Sequence, residues 1–290
     1  MTITVQELVN RVSDDIARTI SATSTDPSLS RVLRYYNRIV DTVGQICVLH
    51  KSDLARTTQV ITTVSGTADY PDFKDILDAT EKWGYITLTS SKSTIRLISE
   101  QDSTGYGFTS GAYAQPTAFY VNGKNYVIFC PTPDDAYSIS IPFWKKFPIV
   151  SALTYDVASA SKANPCVVGS TSHPFKTDDR VYIDSVLGMT ELNGYFYDTT
   201  WVSSSTFSLQ DTDSTAYTTW SSAGTIYPCV PFNGIFDNII AEMVTILLQN
   251  RDEYDQTFES GIIAQLQSLV MPLIDRRKKK FSFKAKGYNG

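Results

Sequence analysis

Two hydrophobic periods divide this sequence, with helical spacing at both ends and alternation in the middle. Apolar residues recur every three or four positions from Val5 to Ala22, and again up to about Leu49. The same spacing returns in residues 232–249 and 255–274. Such stripes predict amphipathic helices that each bury one face. The buried stripe predicted for the last helix consists of Phe258, Ile262, Leu266, Leu269 and Leu273.

Polar residues between the first two stripes predict a helix boundary. The segment from Thr23 to Pro27 ends the first helix. Asp26 is expected to cap the second helix, with Pro27 at its first position, where a missing N–H costs nothing. Two amphipathic helices joined by so short a loop predict a helical hairpin.

From Thr57 the hydrophobic period changes to two, which is typical of β-strands. The turn at Asn122-Gly123-Lys124 joins two such runs and predicts a hairpin. The pattern as a whole predicts an antiparallel meander of about six strands. The seven segments with strand character, of which 68–70 is short, are residues 57–64, 68–70, 85–88, 94–98, 117–121, 125–129 and 137–144.

Residues 156–226 are rich in Ser, Thr and Gly and have the length of one small β-domain. Short strands are predicted near residues 180–185, 194–202, 206–209 and 225–227. Gly188 and Asn193-Gly194 supply turn positions that tolerate positive φ. The side chains expected to fill a small barrel are Val181, Ile183, Tyr195, Tyr197, Phe207 and Leu209.

These patterns together predict an α+β protein. A helical bundle formed by both termini accompanies an antiparallel β-sheet region, and a small all-β barrel is inserted. The predicted divisions are residues 1–154 and 228–275 for the core, 155–227 for the inserted barrel, and 276–290 for a basic tail. Insertion at an exposed loop whose ends lie close together is readily tolerated.

The charged residues behind the net charge of −5 are unevenly distributed along the chain. Residues 276–290 contain seven basic residues and no acidic one. Without them, 18 basic residues face 30 acidic ones, so the rest of the chain carries −12. An acidic body with a basic tail suggests two surfaces with different partners.

Catalytic motifs are absent from the sequence. No GxSxG, HExxH, GxxxxGK[ST] or GxGxxG occurs. Asp134 and Asp135 follow a Pro-Thr-Pro turn, and paired acids in a turn are usually turn formers. We therefore expect no enzyme activity and no cofactor. No apolar stretch is long enough to span a membrane, and acidic residues interrupt the N-terminal apolar pattern, which excludes a signal peptide.

The four cysteines and two histidines are too dispersed for a zinc site, so no metal is expected. Cys47 and Cys130 lie in apolar runs and are expected to be buried as small hydrophobic side chains. Cys166 and Cys229 flank the insertion and are expected to stay reduced. His50 and His173 are expected to act as cap or turn residues.

An ordered series of motifs resembles the head-to-tail adaptor, connector or neck, proteins of tailed bacteriophages. The series includes the Tyr35-Tyr36-Asn37 helix, the Gly66–Pro71 segment and the run from Gln115 to Pro148. In these proteins a G-x-P-x-x-Y element is followed by a hairpin, then by the motif Y-P-x-P-D, and then by a strand. Here Ala114 stands where Gly is common, and Phe129-Cys130-Pro131 replaces an apolar residue followed by Tyr-Pro. The resemblance covers residues 1–154 and 228–275.

The insertion resembles a different protein module. Residues 177–183 (TDDRVYI) and 188–194 (GMTELNG) are similar to a small β-barrel module found in phage structural proteins. That module is itself similar to one half-domain (FCCH) of ubiquitin-activating enzyme E1. The resemblance is one of fold and implies no ubiquitin chemistry.

The adaptor resemblance implies a structural virion protein that performs no chemistry. It implies a dodecameric ring between portal and tail, in the virion neck, made in the cytoplasm of the bacterial host. The expected partners are the portal protein, tail or nozzle proteins, other copies of the chain, and DNA that passes through the lumen without sequence-specific binding. An acidic body suits such a lumen, because basic residues would hold the phosphates.

Two sets of site residues follow from the resemblance. The basic tail is expected to dock on the portal through Arg276, Arg277, Lys278, Lys279, Lys280, Phe281 and Phe283. A disordered tail and a DNA contact are the alternatives for this segment. A Gly-rich loop is expected to face the tail through Tyr106, Phe108 and Tyr113, because Tyr and Gly adapt well at interfaces. An ordinary surface loop that packs its own rings is the alternative.

Two other functions compete with the adaptor hypothesis. The first is a baseplate- or tail-fibre-associated virion protein, although the chain lacks the heptads and repeats of fibres. The second is a carbohydrate-active enzyme, which would need carboxylates on opposite sides of a substrate. Adjacent acids in one turn, such as Asp134 and Asp135, seldom meet that requirement.

Overall fold

The computed structural model describes residues 2–70, 80–83, 85–106, 113–122, 127–249 and 256–279. This part of the chain has the predicted α+β fold, with four α-helices and three β-sheets. The helices are α1 (Val5–Asp15), α2 (Leu29–Leu49), α3 (Asp237–Gln249) and α4 (Gln256–Lys279). The chain divides into two compact units, one of Met1–Leu54 with Phe147–Gly290 and one of Ala55–Lys146. These two units do not coincide with the domains predicted from the sequence. The predicted domain boundaries stay predictions.

Helix α1 is shorter than predicted. Thr4 caps it by accepting a hydrogen bond from the Glu7 N–H at 3.1 Å. The helix ends at Asp15, and Ala17 then adopts a φ of 52°. A left-handed residue cannot continue a right-handed helix, so the apolar spacing persists beyond the helix itself. Ile20 is still buried.

Helix α2 runs to Leu49 as predicted, but the predicted cap is wrong. Ser28 caps the helix, accepting from the Arg31 N–H at 3.3 Å. Asp26 instead forms an ion pair with Arg18 at 2.9 Å. The seven central residues of the apolar stripe of α2 are all buried, namely Val32, Leu33, Tyr36, Ile39, Val40, Val43 and Ile46.

The terminal helices pack together within their unit. Helix α3 contacts α1, α2 and α4, and α2 also contacts α4. On α4 the buried side chains are Ile262, Leu266, Val270 and Ile274. Leu269 is 37% exposed, so its predicted burial is wrong. Steps of four residues keep side chains on one face of a helix, and these four therefore make one continuous stripe.

The described residues of the unit Ala55–Lys146 include eight strands. These are β1 (Arg56–Thr62), β2 (Asp69–Tyr70), β3 (Thr80–Trp83), β4 (Thr87–Leu88), β5 (Arg96–Leu97), β6 (Ala118–Val121), β7 (Val127–Cys130) and β8 (Ser138–Lys145). They form two four-stranded sheets rather than one meander. In the first, β8 pairs with β1, β3 and β4. The second has the order β2-β7-β6-β5.

Strand pairing in this unit is antiparallel with one exception. Strands β5 and β6 are parallel, with Arg96 opposite Ala118. The longest pairing joins β1 to β8, from Arg56 opposite Trp144 to Thr62 opposite Ser138. Buried apolar residues from both sheets form the core, among them Ile86, Phe119, Phe129, Ile139 and Ile141.

Residues 155–228, called the β-module below, form a seven-stranded antiparallel sheet. Its strands are β9 (Tyr155–Asp156), β10 (Ser159–Ala160), β11 (Val167–Gly169), β12 (Arg180–Asp184), β13 (Tyr195–Ser203), β14 (Thr206–Leu209) and β15 (Thr225–Pro228). The order is β10-β11-β14-β13-β12-β15-β9. The first three strands were not predicted, whereas the other four lie within two residues of the predicted ranges.

The edges of this sheet show that it curls. The edge strands β9 and β10 are separated only by Val157 and Ala158, so they lie at most about 11 Å apart. The edges of a flat seven-stranded sheet would be about 29 Å apart. The sheet therefore closes towards a barrel. Its two chain ends also meet, because Tyr155 pairs with Ile226.

The core of the β-module confirms most of the predicted burial. Val181, Ile183, Phe207 and Leu209 are fully buried, and Tyr197 packs against them. Tyr195 is 62% exposed, so its predicted place in the barrel is wrong. It is the first residue of β13, directly after the Gly194 turn, and no strand covers it there.

Two of the predicted turn positions have positive φ. Gly188 and Gly194 have φ values of +87° and +85°. Asn193 keeps a φ of −74° and acts through its side chain instead. Its amide accepts from the Val186 N–H at 2.7 Å and donates to the Val186 carbonyl at 3.0 Å.

Candidate functional surfaces

The start of the predicted basic tail is helical. Residues 276–279 form the last turn of α4, where positive side chains are favoured by the partial negative charge of a helix C-terminus. The preceding stripe, ending at Ile274, anchors this helix in its unit. Lys280, Phe281 and Phe283 lie outside the described residues. The basic turn thus continues directly from a packed helix.

The predicted tail-facing loop is described only at its two ends. Tyr106 is the last residue of a 3₁₀ helix that spans Glu100–Tyr106. Tyr113 is 60% exposed and forms a parallel bridge with Thr132. Phe108 lies outside the described residues. The assignment of these three residues to a contact surface stays a prediction.

All four cysteines are buried and free. The predicted burial of Cys47 and Cys130 is confirmed, and burial raises the pKa of these thiols to about 12 and about 11. The pKa of Cys229 rises to about 12 for the same reason, and that of Cys166 rises as well. Because the thiolate is the reactive form, these side chains are poor nucleophiles.

The two histidines have structural positions. His50 is the C-cap of α2, as predicted. His173 packs in the β-module, stacked on Phe175 at 5.6 Å and edge-on to Phe207 at 5.0 Å between ring centroids. Burial lowers its pKa, so the ring is a neutral part of the core. The predicted turn role of His173 does not account for this packing. The nearby Phe175 was the only local indication of it in the sequence.

Asp134 and Asp135 hold their turn together. The Tyr137 hydroxyl donates to Asp134 Oδ1 at 2.7 Å. Asp135 Oδ1 accepts from the Ala136 N–H at 2.7 Å. These contacts agree with the interpretation of the pair as turn formers.

A buried ionisable cluster lies where the N-terminal residues, α2 and α3 meet. Asp237 opens α3 and is 4% exposed. Burial raises its pKa to about 6, although the Ile3 N–H donates to its carboxylate. Its Oδ1 has no hydrogen-bond partner in the part of the chain that the structure describes. The carboxyl is therefore poorly solvated when ionised.

Tyr36 completes this cluster. Its pKa is raised by burial and by the nearby Cys229, Asp237 and Asp179. The segment that follows the β-module reaches the same place, since the Val230 N–H donates to the Ile3 carbonyl at 2.9 Å. The sequence prediction missed Asp237, although it lies three residues before Ile240 on the buried face of α3. The raised pKa of Asp237 makes the stability of the protein depend on pH.

Neither a metal site nor a membrane span is found in the described ranges. No group of three or more His, Cys, Asp or Glu side chains there could hold an ion. None of the helices there combines the length and the hydropathy that crossing a membrane requires.

Comparison with known families identifies the chain. The family model described as SU10 adaptor protein matches residues 3–165, which is more than half of the chain. The match runs from α1 and α2 through both sheets of the unit Ala55–Lys146 and into the first strands of the β-module. A search of curated proteins finds no match. The chain belongs to the SU10 adaptor protein family and is a structural component of a bacteriophage virion.

Proposed function

We propose that this protein is a head-to-tail adaptor that assembles as a dodecameric ring between the portal and the tail. The family match over residues 3–165 is the observation that carries this proposal. A ring needs side-to-side contacts that are heterologous and close on themselves. In this proposal the chain is made in the host cytoplasm, joins the virion neck and extends the DNA channel without performing catalysis.

The basic end of α4 is the proposed contact with the portal. Residues 276–279 stand at the end of a helix whose buried stripe fixes its direction within its unit. Residues 276–279 carry four positive charges, and positive charge accelerates encounter with an acidic partner. Lys280, Phe281 and Phe283 would then add further charge and aromatic anchors. The loop that contains Tyr106, Phe108 and Tyr113 is the proposed contact with the tail.

The rest of the chain is suited to line a DNA channel. Its net charge of −12 opposes binding of DNA phosphates, and a wall without strong phosphate contacts lets DNA move. We assign the proposed lumen to this acidic part and the proposed portal contact to the basic end of α4.

The β-module is the proposed insertion in the adaptor core. Its first and last strands pair through Tyr155 and Ile226, so the core could accept the module with little change at the point of entry. We propose that residues 155–227 form the module similar to the half-domain of E1, and that residues 1–154 and 228–275 form the core. The seven-stranded curled sheet supports this assignment.

Binding to the portal tests the proposal. The purified chain is mixed with portal particles of the same phage and followed by sedimentation and negative-stain electron microscopy. We expect a ring of added density on one face of the portal. No binding, or binding away from the channel axis, would overturn the adaptor assignment in favour of another virion location such as the baseplate.

A charge-neutralising variant tests the basic end of α4. It carries Arg276→Gln, Arg277→Gln, Lys278→Gln and Lys279→Gln, and Gln keeps a good helix propensity. The matched control neutralises four exposed cations elsewhere, with Lys51, Lys92, Arg96 and Lys162 each changed to Gln.

We expect the first variant to weaken portal binding by about tenfold or more, and the control by less than about twofold. Equal losses in the two variants would contradict docking through α4 while leaving the adaptor role intact. Truncation after Ile274 should reproduce the first result. Unchanged affinity of the truncated chain would refute tail docking.

A further inference from the structure

An open groove of about 770 Å³ lies on the β-module. This volume falls within the range of small-ligand sites. The groove runs beside the start of β13 and the segment that follows β14. It shares no residue with the proposed portal and tail contacts, and neither the family nor the adaptor function assigns it a role.

Aromatic rings form part of the groove wall. Tyr195 is 62% exposed there. Tyr197 also lines the groove and, two residues along β13, lies on the same face of the strand as Tyr195. Its hydroxyl donates to the Leu192 carbonyl at 3.2 Å. Tyr217 packs against the core of the module. The groove thus presents two supported rings and one exposed ring, and rigid amphipathic rings bind ligands at a low cost in conformational entropy.

Polar side chains in the groove are held in fixed positions. Glu191 Oε1 accepts from the Thr218 N–H at 2.8 Å and from its hydroxyl at 2.9 Å. Asp213 Oδ1 accepts from the Thr215 N–H at 3.0 Å and from its hydroxyl at 2.6 Å. Glu191 Oε2 is buried and has no partner among the described residues, so the accessible acceptors are the other carboxylate oxygens. The groove therefore offers hydrogen-bond acceptors whose directions are set before any ligand binds.

The Gln210 amide is fixed as well. Its Nε2 donates to Asp178 Oδ1 and to the Thr199 carbonyl, both at 2.8 Å. The hydrogen bonds from Thr218 and Thr215 also lower the pKa of Glu191 and of Asp213. Both carboxylates are therefore ionised at neutral pH and accept hydrogen bonds without donating them.

We propose that this groove binds a short, uncharged oligosaccharide. The C–H faces of sugar rings would stack on Tyr195 and its aromatic neighbours, and sugar hydroxyls would donate to the fixed acceptors. The described residues that line the groove include four carboxylates, Glu191, Asp198, Asp211 and Asp213, and no basic side chain. This charge excludes phosphorylated, sulfated and other acidic glycans.

A basic peptide is the competing ligand class. It would satisfy the negative charge, but Asp198 is already close to Arg180, at 3.7 Å. The threonine contacts orient Glu191 and Asp213, so their remaining lone pairs accept along set directions, which suits hydroxyl donors. Directed acceptors between aromatic rings match a ligand with many hydroxyl donors better than one that binds by charge. The oligosaccharide is therefore the occupant that the groove favours.

Calorimetric titration of the full chain tests the inference. The neutral probes are chitotetraose, cellotetraose and maltotetraose, and the charged probes are a heparin tetrasaccharide and a deca-lysine peptide. We expect at least one neutral probe to bind with a Kd on the order of 1 mM or tighter. Its affinity should change less than about twofold between 50 and 500 mM NaCl, because salt screens only charges.

Two tyrosine variants locate the binding. Tyr195→Ala should weaken binding of the neutral probe by about tenfold, since it removes one stacked ring. Tyr85→Ala is the matched control, because Tyr85 is 83% exposed and lies outside the β-module. We expect the control to bind like the unchanged chain.

Three results would overturn the inference. They are failure of every neutral probe to bind, equal effects of the two tyrosine variants, and binding of deca-lysine alone with a steep salt dependence. The last result would assign the groove to basic peptides instead. None of these results affects the proposed portal binding, which is measured separately.

Discussion

Asp237 provides a quantitative test of the buried cluster between the N-terminal residues, α2 and α3. We expect Asp237→Asn to stabilise the protein at neutral pH and to lose most of this advantage in acid. Burial raises the pKa of Asp237 from 3.8 to about 6. Asn removes the buried charge, and its carbonyl oxygen can still accept the Ile3 N–H.

The size and sign of the effect follow from proton linkage. Between pH 3.8 and 6 the native state binds more protons than the unfolded state, so the free energy of unfolding falls as pH rises. A shift of about two units corresponds to about 3 kcal/mol once Asp237 is fully ionised in both states. From pH 4.5 to 7.5, the stability difference between Asp237→Asn and the unchanged chain should therefore grow by about 2 kcal/mol.

Urea unfolding followed by tryptophan fluorescence at the two pH values measures this difference. Glu242→Gln is the matched control, because Glu242 is exposed on the same helix and its replacement should change stability by about 0.5 kcal/mol or less. A stability difference for Asp237→Asn that is the same at both pH values would refute the reasoning. It would mean that water or rearrangement solvates the carboxylate in the folded protein.

Two further pairs of substitutions test packing in the β-module and on α4, with stability measured by thermal unfolding. Gly188→Ala should destabilise the β-module by more than about 2 kcal/mol, since its Cβ would lie 2.3 Å from the Thr219 carbonyl oxygen. Gly194→Ala, with a similar φ but open space, should cost about 1 kcal/mol, and equal costs would contradict the steric argument. Leu266→Ala should cost about 2–5 kcal/mol because the side chain is fully buried. Leu269→Ala should cost much less, and the reverse order would show that α4 packs through another face.

Local sequence patterns were enough to predict the helices. The apolar stripe of α2 predicted its C-terminal end at Leu49, and every residue of the central stripe is buried. The ends of helices were less predictable. Ser28 and Asp26 are both good capping residues, and the choice between them depends on where the chain turns. Asp26 is engaged with Arg18, a contact that the spacing of apolar residues does not report.

At the candidate sites too, some features followed from local sequence patterns and others did not. The burial of Cys47 and Cys130 followed from their apolar neighbours. The exposure of Tyr195 did not follow from alternation, because alternation describes which face of a strand a residue occupies and not whether another element covers that face. The groove beside Tyr195 combines residues from β13 with the segment after β14, and no single run of sequence contains it.

The sequence by itself determined the fold class, the positions of the helices and most longer strands, and the charge contrast between the body and the basic tail. Periodicity and composition are properties of single segments, so they can be recognised without knowing which other segments each one contacts. Only the tertiary structure decided which strands pair and where the sheets end. Arg56, near the start of its unit, pairs with Trp144, near the end of the same unit. The curl of the β-module depends on the two residues that join its edge strands. Such pairings depend on contacts between distant parts of the chain, and so does the burial of Asp237 beside Ile3 and Tyr36.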